Sequence, residues 1–144
     1  MKLIDLSLLF YAINEDAVHH APVLAWWERA LDGDEPVGFP WIVVLGFLRI
    51  ATNPNIFFPR PLDPDTAIGK ITAWLSLDST LLVHEKDEHW DILRPPLVEA
   101  STAGNLVTDA HLAALAISHG ATLVSCDTDF ARFPNPRWQN PLSD

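Results

Sequence analysis

Cysteine is nearly absent from this chain, whose 144 residues contain one thiol, at Cys126. A single thiol cannot form an intramolecular disulfide, so a disulfide scaffold is excluded and a reducing compartment is expected. Long apolar runs are missing as well, since no stretch approaches the roughly 20 residues of a membrane span. Asp5 interrupts the apolar N-terminus, and no signal-peptide cleavage site follows it. The sequence therefore predicts a soluble, cytoplasmic protein without membrane contact.

Basic residues are also scarce, with 9 Lys and Arg against 19 Asp and Glu and a net charge of −10. They are scattered and form no polybasic arm, which argues against nucleic-acid binding driven by overall charge. A nucleic-acid substrate is still compatible with this balance, because acids that bind a dication concentrate negative charge locally. Contacts to RNA would then come from a few placed arginines, the metal, or a second copy of the chain.

The length fits one domain covering residues 1–144, and the hydrophobic content of 49% agrees with a globular core. Strands are predicted at Lys2–Ile4, Glu35–Gly38, Thr80–His84 and Ala121–Cys126. Helices are predicted at Ser7–Ala12, Ala17–Leu31, Trp41–Ala51, Asp65–Leu77, Asp87–Ala100, Asn105–His119 and Asp127–Phe133. Strands that alternate with helices predict an α/β fold with a mostly parallel central sheet covered by helices on both faces.

Three details complete this interpretation. Ser7 is the expected N-cap of the first helix. Pro95 and Pro96 are expected to disturb the middle of their helix. The proline-rich segment Asn53–Pro64 is predicted to be an extended loop, and no strand is predicted in the closing segment RWQNPL.

Acidic residues follow two of the predicted strands. Asp5 ends the run KLI, and Asp127 ends ATLVSC, with Asp129 two residues later. Asp109 lies in the first turns of the Asn105 helix, where backbone N–H groups favour negative charge. Ligands of open parallel sheets bind at the carboxyl ends of the strands. The sequence therefore predicts that these carboxylates meet at one edge of the sheet.

Such a cluster needs a counter-charge, because two carboxylates about 4 Å apart repel by about 4 kcal/mol at an effective dielectric near 20. Oxygen-only ligands select Mg²⁺ or Mn²⁺, and these ions activate water for phosphodiester hydrolysis. Each acid also has a structural interpretation. Asp5, Asp127 and Asp129 are suitable as helix caps or turn residues, and Asp109 is favoured by the helix dipole alone.

Three segments together resemble the PIN-domain ribonucleases, specifically the VapC toxins of toxin–antitoxin pairs. These segments are LIDLSLLFYA, FLRIATNP and GNLVTDAHLAALAISHGATLVSCDTDFARFPNPRWQNPL, and their order and spacing match over essentially the whole chain. The resemblance implies a parallel α/β/α sandwich, an acidic Mg²⁺ or Mn²⁺ site and endonucleolytic cleavage of RNA. It also implies a homodimer and a small antitoxin that covers the active site, with DNA contacted only through that antitoxin.

The resemblance also implies roles for individual residues. Asp5 and Asp109 match acids that contact the metal directly, with Asp127 as a further ligand. Asp127 and Asp129 match the acids after the fourth strand and complete the catalytic set. Ser7 stands where the family often has Asn, and it is expected to bond a metal-bound water or to cap the helix.

One position departs from the family pattern. Many members carry Glu in the middle helix, where this chain has Gly46. The site is then expected to hold one metal ion rather than two, to bind metal more weakly, or to borrow another acid. A catalytically silent protein that mainly binds its antitoxin is the alternative hypothesis. A haloacid-dehalogenase-type phosphatase is disfavoured, because Ser7 occupies the place of its second aspartate.

Other residues have smaller predicted roles. Arg49, Arg132 and Arg137 are candidate phosphate contacts, and a structural salt bridge is the alternative for Arg49. The segment His84–His89 resembles a zinc motif, but its spacing fits neither H-E-x-x-H nor the inverted form. Cys126 is expected to be a buried, unreactive thiol.

Overall fold

The computed structural model describes residues 1–56, 60–99 and 103–143. Within them, five strands form one sheet in the order β3-β2-β1-β4-β5, and every pairing is parallel. The strands are β1 (Lys2–Ile4), β2 (Val37–Pro40), β3 (Thr80–Val83), β4 (Thr122–Val124) and β5 (Arg137–Gln139). The short apolar runs of β1, β2 and β4 are mostly buried, as expected for strands covered on both faces.

Six helices connect these strands within the described residues. They are α1 (Leu6–Ile13), α2 (His20–Asp32), α3 (Trp41–Ala51), α4 (Pro64–Leu75), α5 (His89–Glu99) and α6 (Ala103–His119), and a short 3₁₀ helix follows at Thr128–Arg132. Crossovers between parallel strands are right-handed. The strand order therefore places α1–α4 on one face and α5–α6 on the other, which confirms the predicted sandwich. No described helix is long and apolar enough to cross a membrane.

The predicted elements are present, with shifted ends. The bounds of β1 and α3 agree with the prediction, whereas β2 lies two residues later than expected, because Phe39 and Pro40 are buried strand residues. The predicted helix start at Asn105 coincides with a break at Gly104, whose backbone is not helical. Phe57–Pro59 of the predicted loop and Ala100 of the predicted helix lie outside the described residues.

Three local predictions are wrong. Ser7 does not cap α1, because Asp5 precedes the helix and its Oδ1 accepts a hydrogen bond from the Leu6 N–H at 2.7 Å. Helix α5 continues through Pro95 and Pro96; it has no buried residue, so water can bond the carbonyl groups that the prolines leave without a donor. The closing segment contains β5, which pairs with β4.

Candidate active site

Strands β1 and β4 are neighbours in the sheet, and the order in which the chain adds strands reverses direction between them. From β1 the chain moves to β2 and β3, and it then returns past β1 to β4. Asp5 follows β1 directly, and its backbone N–H donates to the Val124 carbonyl at 3.0 Å. Asp127 lies three residues beyond the end of β4. A crevice at such a switch point is the usual ligand site of an open parallel sheet.

Three carboxylates converge at this crevice. One oxygen each of Asp109, Asp127 and Asp129 lies within 4.8 Å of the others, and Asp127 and Asp129 are exposed. Oxygens on opposite sides of one Mg²⁺ lie about 4.2 Å apart. The cluster therefore has the donor chemistry and nearly the spacing for a single hard dication.

The environment of Asp109 shows the electrostatic strain of this cluster. The pKa of its carboxyl is raised from 3.8 to about 6, first by burial and then by the negative charges of Asp127, Asp5 and Asp129. A bound cation would reverse this shift, because it favours the ionised carboxylate. The raised pKa of Asp109 therefore fits a site that is completed by positive charge.

Asp5 lies beside the cluster and is held by hydroxyl groups. Its Oδ2 accepts hydrogen bonds from Ser125 Oγ at 2.6 Å and Ser7 Oγ at 3.0 Å, in addition to the Leu6 N–H on Oδ1. A carboxylate has about four acceptor positions. With respect to the described residues, Asp5 thus keeps about one acceptor position free for a metal ion or a water molecule.

Ser125 is a site residue that the sequence interpretation missed. It is fully buried, and its Oγ also accepts the Asp127 N–H at 3.0 Å. One hydroxyl therefore connects the carboxylate after β1 with the loop that carries Asp127 and Asp129. The available signal was a hydroxyl side chain at the end of the apolar run TLVSC, two residues before an acid.

Comparison with known proteins agrees with this geometry. The PIN domain family model matches residues 2–136. The chain belongs to the PIN-domain family. Ribonuclease VapC37 of Mycobacterium tuberculosis is 46% identical over 141 residues, which cover 98% of this chain and 97% of that relative. Ribonuclease VapC33 of the same species is 36% identical over 144 residues, which cover 100% of both chains.

Solved structures show the same fold. VapBC-1 of nontypeable Haemophilus influenzae aligns with a TM-score of 0.71 and 14% identity, over 98% of this chain and 98% of that chain. VapBC2 of Rickettsia felis aligns with a TM-score of 0.69 and 19% identity, over 96% of this chain and 97% of that chain. PIN-domain ribonucleases generally use a divalent metal, and the acid cluster fits that chemistry.

The three arginines predicted to contact phosphate lie in different places in this PIN domain. Arg132 is exposed, and its guanidinium lies 3.9 Å from Asp129 Oδ1, beside the cluster. Arg49 is exposed on α3. Arg137 begins β5 and donates to the Gly120 carbonyl at 2.6 Å, at the amino end of β4, so its predicted role at the acid site is wrong.

Gly46 is buried in α3 of this PIN domain. A Cβ at this position would lie 3.0 Å from Leu6 Cδ2. The space that a glutamate would need next to the helix is therefore filled by a leucine. This observation explains how the sequence accommodates the absence of the acid that many family members carry.

The remaining polar residues form a separate group. His89 Nε2 and His111 Nδ1 lie 2.9 Å apart, and His111 Nε2 lies 3.4 Å from Glu85 Oε1. These contacts join α5 to α6, so both histidines are engaged in packing.

Cys126 is half-buried, and burial followed by the charge of Asp5 raises the pKa of its thiol to about 11. Such a pKa keeps the thiol protonated at neutral pH, which agrees with the predicted low reactivity, although Cys126 is half-buried rather than fully buried.

Proposed function

We propose that this chain is the toxin of a toxin–antitoxin pair, a metal-dependent endoribonuclease that hydrolyses RNA phosphodiester bonds. The observation that carries the proposal is the convergence of Asp109, Asp127 and Asp129, in a chain whose full-length relatives are named ribonucleases. All the charged donors are oxygens, which supports Mg²⁺ or Mn²⁺ as the bound ion. The catalytic unit in this proposal is one domain formed by the whole chain.

Each acid has a distinct part in the proposed site. Asp109, Asp127 and Asp129 present their oxygens to one divalent ion, which, when bound, offsets phosphate charge and lowers the pKa of a water nucleophile. Asp5 uses its free acceptor position as a further ligand, and Ser125 fixes its orientation. The four carboxylates are assigned to holding the ion or its ligands. Water, rather than a carboxylate, is therefore the expected attacking group.

The side chains near the acids also bear on substrate binding. Arg132 lies beside Asp129, where its guanidinium can hold a phosphate of the incoming RNA. Ser7 already donates to Asp5, so we assign it to positioning that carboxylate rather than to direct substrate contact. With a net charge of −10, the chain has to attract RNA through such local groups and the ion.

A cleavage assay tests the proposal. Purified protein is incubated with total RNA in Mn²⁺ or Mg²⁺ and then with a chelator. We expect cleavage that the chelator abolishes, that Asp109→Asn loses, and that Asp65→Asn retains. Asp65 is the matched control because it is an exposed acid in the first turn of α4 and is not a member of the acid cluster. Cleavage that survives chelation or Asp109→Asn contradicts the proposal.

The second candidate is a catalytically weak or silent PIN protein whose main role is to bind its antitoxin. Gly46 favours this hypothesis, since one family acid is missing. The same assay separates the two candidates. No cleavage in either metal, combined with tight antitoxin binding, supports the silent protein.

The proposed partners are a VapB-type antitoxin and a second copy of the chain, acting in the cytoplasm. VapBC2 of Rickettsia felis was solved bound to a promoter DNA fragment. For this chain, which has no polybasic segment, we propose that DNA is reached only through the antitoxin. Purification with and without the neighbouring antitoxin, followed by light scattering and DNA binding, tests these assignments.

A further inference from the structure

Strand β5 holds the backbone of Ser125 through two hydrogen bonds. The Ser125 N–H donates to the Gln139 carbonyl at 3.1 Å, and the Ser125 carbonyl accepts the indole N–H of Trp138 at 3.1 Å. The first bond continues the parallel ladder between β4 and β5, whereas the second comes from a side chain. Because Ser125 is fully buried, both backbone groups depend on protein partners.

The indole of Trp138 replaces a backbone donor that Pro141 lacks. In a parallel ladder, a residue donates to one residue of the neighbouring strand and accepts from the residue two positions farther along. Ser125 donates to Gln139, so the next ladder donor to its carbonyl would be the N–H of residue 141. Pro141 has no N–H. Trp138 therefore satisfies a buried carbonyl that the ladder itself cannot satisfy.

The Ser125 carbonyl affects the direction in which the chain leaves β4. The peptide group is planar, so restraining this carbonyl also restrains the bond to Cys126. The chain then reaches Asp127, whose N–H returns to Ser125 Oγ at 3.0 Å. Asp127 Oδ1 in turn accepts the Asp129 N–H at 2.9 Å. The bond from Trp138 is therefore linked to two of the converging acids.

Ser125 also holds the acid that follows β1. Its Oγ donates its only proton to Asp5 Oδ2 at 2.6 Å. The hydroxyl lies one bond beyond Cβ, so its position follows from the Ser125 backbone and a single side-chain dihedral angle. A displaced backbone therefore weakens the hydrogen bond to Asp5. Through this serine, β5 affects carboxylates that follow both β1 and β4.

Resting on the proposed function, we propose that Trp138 is a positioning residue of the active site. Its indole N–H holds the Ser125 peptide so that Ser125 orients Asp5 and the following loop presents Asp127 and Asp129 to the divalent ion. Groups that orient metal ligands without touching the ion typically contribute about 10- to 100-fold to metal affinity. Trp138 acts through one further residue, so we expect the lower end of that range.

A packing role alone does not require an indole at this position. Trp138 is half-buried against the core, and a phenylalanine ring would cover a similar apolar surface. Phenylalanine has no N–H, so Trp138→Phe separates the hydrogen bond from the packing. Trp74→Phe is the matched control, because Trp74 is also half-buried and packs on the rings of Trp27 and Phe39.

Calorimetric titration with Mn²⁺ is the first test. Trp138→Phe is expected to weaken Mn²⁺ binding about tenfold, and Trp74→Phe is expected to leave it unchanged. Adding Pro141→Ala to Trp138→Phe supplies a backbone N–H at the next ladder position, which should restore part of the lost affinity. Equal Mn²⁺ affinity of Trp138→Phe and the wild-type chain would overturn the proposal. A loss that Pro141→Ala leaves unrepaired would contradict its assignment to a missing donor.

Amide hydrogen exchange tests the same contact without metal. In the presence of a chelator, Trp138→Phe should accelerate exchange of the Asp127 N–H about tenfold more than exchange of the Leu115 N–H. Leu115 is fully buried on α6. The comparison removes the effect of a general loss of stability, because global unfolding exposes both amides alike. Equal acceleration at both positions would mean that Trp138 only stabilises the fold, which would overturn the proposal.

Nuclear magnetic resonance of the wild-type chain covers the case in which Trp138→Phe does not fold. Saturation with Mg²⁺ should shift the indole N–H resonance of Trp138 and leave that of Trp74 in place. A Trp138 resonance that stays unchanged would contradict the link to the acids. Failure of the proposed function is distinguishable: the wild-type chain would then cleave no RNA in Mg²⁺ or Mn²⁺, while the metal-free exchange comparison would still decide the role of Trp138.

Discussion

Replacing Asp109 by asparagine should stabilise the metal-free protein. The pKa of this carboxyl is raised from 3.8 to about 6 by burial and by Asp127, Asp5 and Asp129. Without solvent screening, a shift of that size corresponds to about 3 kcal/mol. Because the side chain is only partly buried, screening reduces the effect, and we expect about 1–2 kcal/mol. Asparagine keeps the shape of the side chain and removes this penalty.

The sign of the pH dependence follows from the raised pKa. Between about pH 4 and pH 6 the unfolded chain releases the Asp109 proton before the folded chain does, so the folded state loses stability as pH rises. The penalty is complete above pH 6 and absent below the unfolded pKa. The advantage of Asp109→Asn is therefore expected at about pH 7 and should shrink as pH falls through 6 towards 4.

Thermal unfolding in the presence of a chelator measures this advantage. A gain of about 1–2 kcal/mol corresponds to a rise in Tm of about 3–6 °C for a chain of this size. Added Mn²⁺ should raise the Tm of the wild-type chain and leave Asp109→Asn nearly unchanged. Asp65→Asn, at an exposed site in the first turn of α4, should show no gain.

Two outcomes would refute the electrostatic reasoning. In the first, the metal-free Asp109→Asn chain is no more stable than the wild-type chain at about pH 7. In the second, it is more stable by the same amount at every pH, so that the gain has a cause other than ionisation. Either result would mean that burial and the neighbouring carboxylates do not penalise the ionised Asp109 side chain as its surroundings indicate.

Three further predictions concern the surroundings of the acids. Ser125→Ala should lower stability by about 1–3 kcal/mol, because it removes a buried hydroxyl that donates to the Asp5 carboxylate and accepts the Asp127 N–H. Calorimetric titration should show weaker Mn²⁺ binding, and an unchanged titration would contradict the linking role. Gly46→Glu should lower stability by about 1–3 kcal/mol in urea unfolding, since its Cβ meets Leu6, and adding Leu6→Ala should restore part of the loss. The pKa of the Cys126 thiol is raised to about 11 by burial and a nearby carboxylate. Cys126 should therefore react slowly with iodoacetamide at about pH 8 in the folded chain and quickly in urea. Equal reaction rates would contradict its burial.

The elements next to the acids were predictable from local sequence. The runs KLI and ATLVSC are short, apolar and each followed by an acid, so they indicate buried strands with carboxylates at their ends. Helix α3 was predicted with its observed bounds, because Trp41–Ala51 is apolar nearly all round and too long for a typical strand. Hydrophobic periodicity carries this kind of information, since each segment buries itself on the same core.

Strand β5 was not predictable in the same way. Its residues Arg137–Gln139 form no apolar run. The strand exists because β4 offers a free edge, and Trp138 Nε1 donates to the Ser125 carbonyl at 3.1 Å. Pairing with a distant segment decided this element, and no local pattern contains that information.

The sequence by itself determined that acids from separate segments meet at one sheet edge, because parallel strands with right-handed crossovers bring their carboxyl ends together. Only the tertiary structure decided which oxygens converge. It brings Asp129 together with Asp109 and Asp127, and it engages Asp5 with hydroxyl groups and the cap of α1. Side-chain direction and hydrogen-bond partners depend on contacts between residues far apart in the chain, and such contacts leave no periodic signal in the sequence.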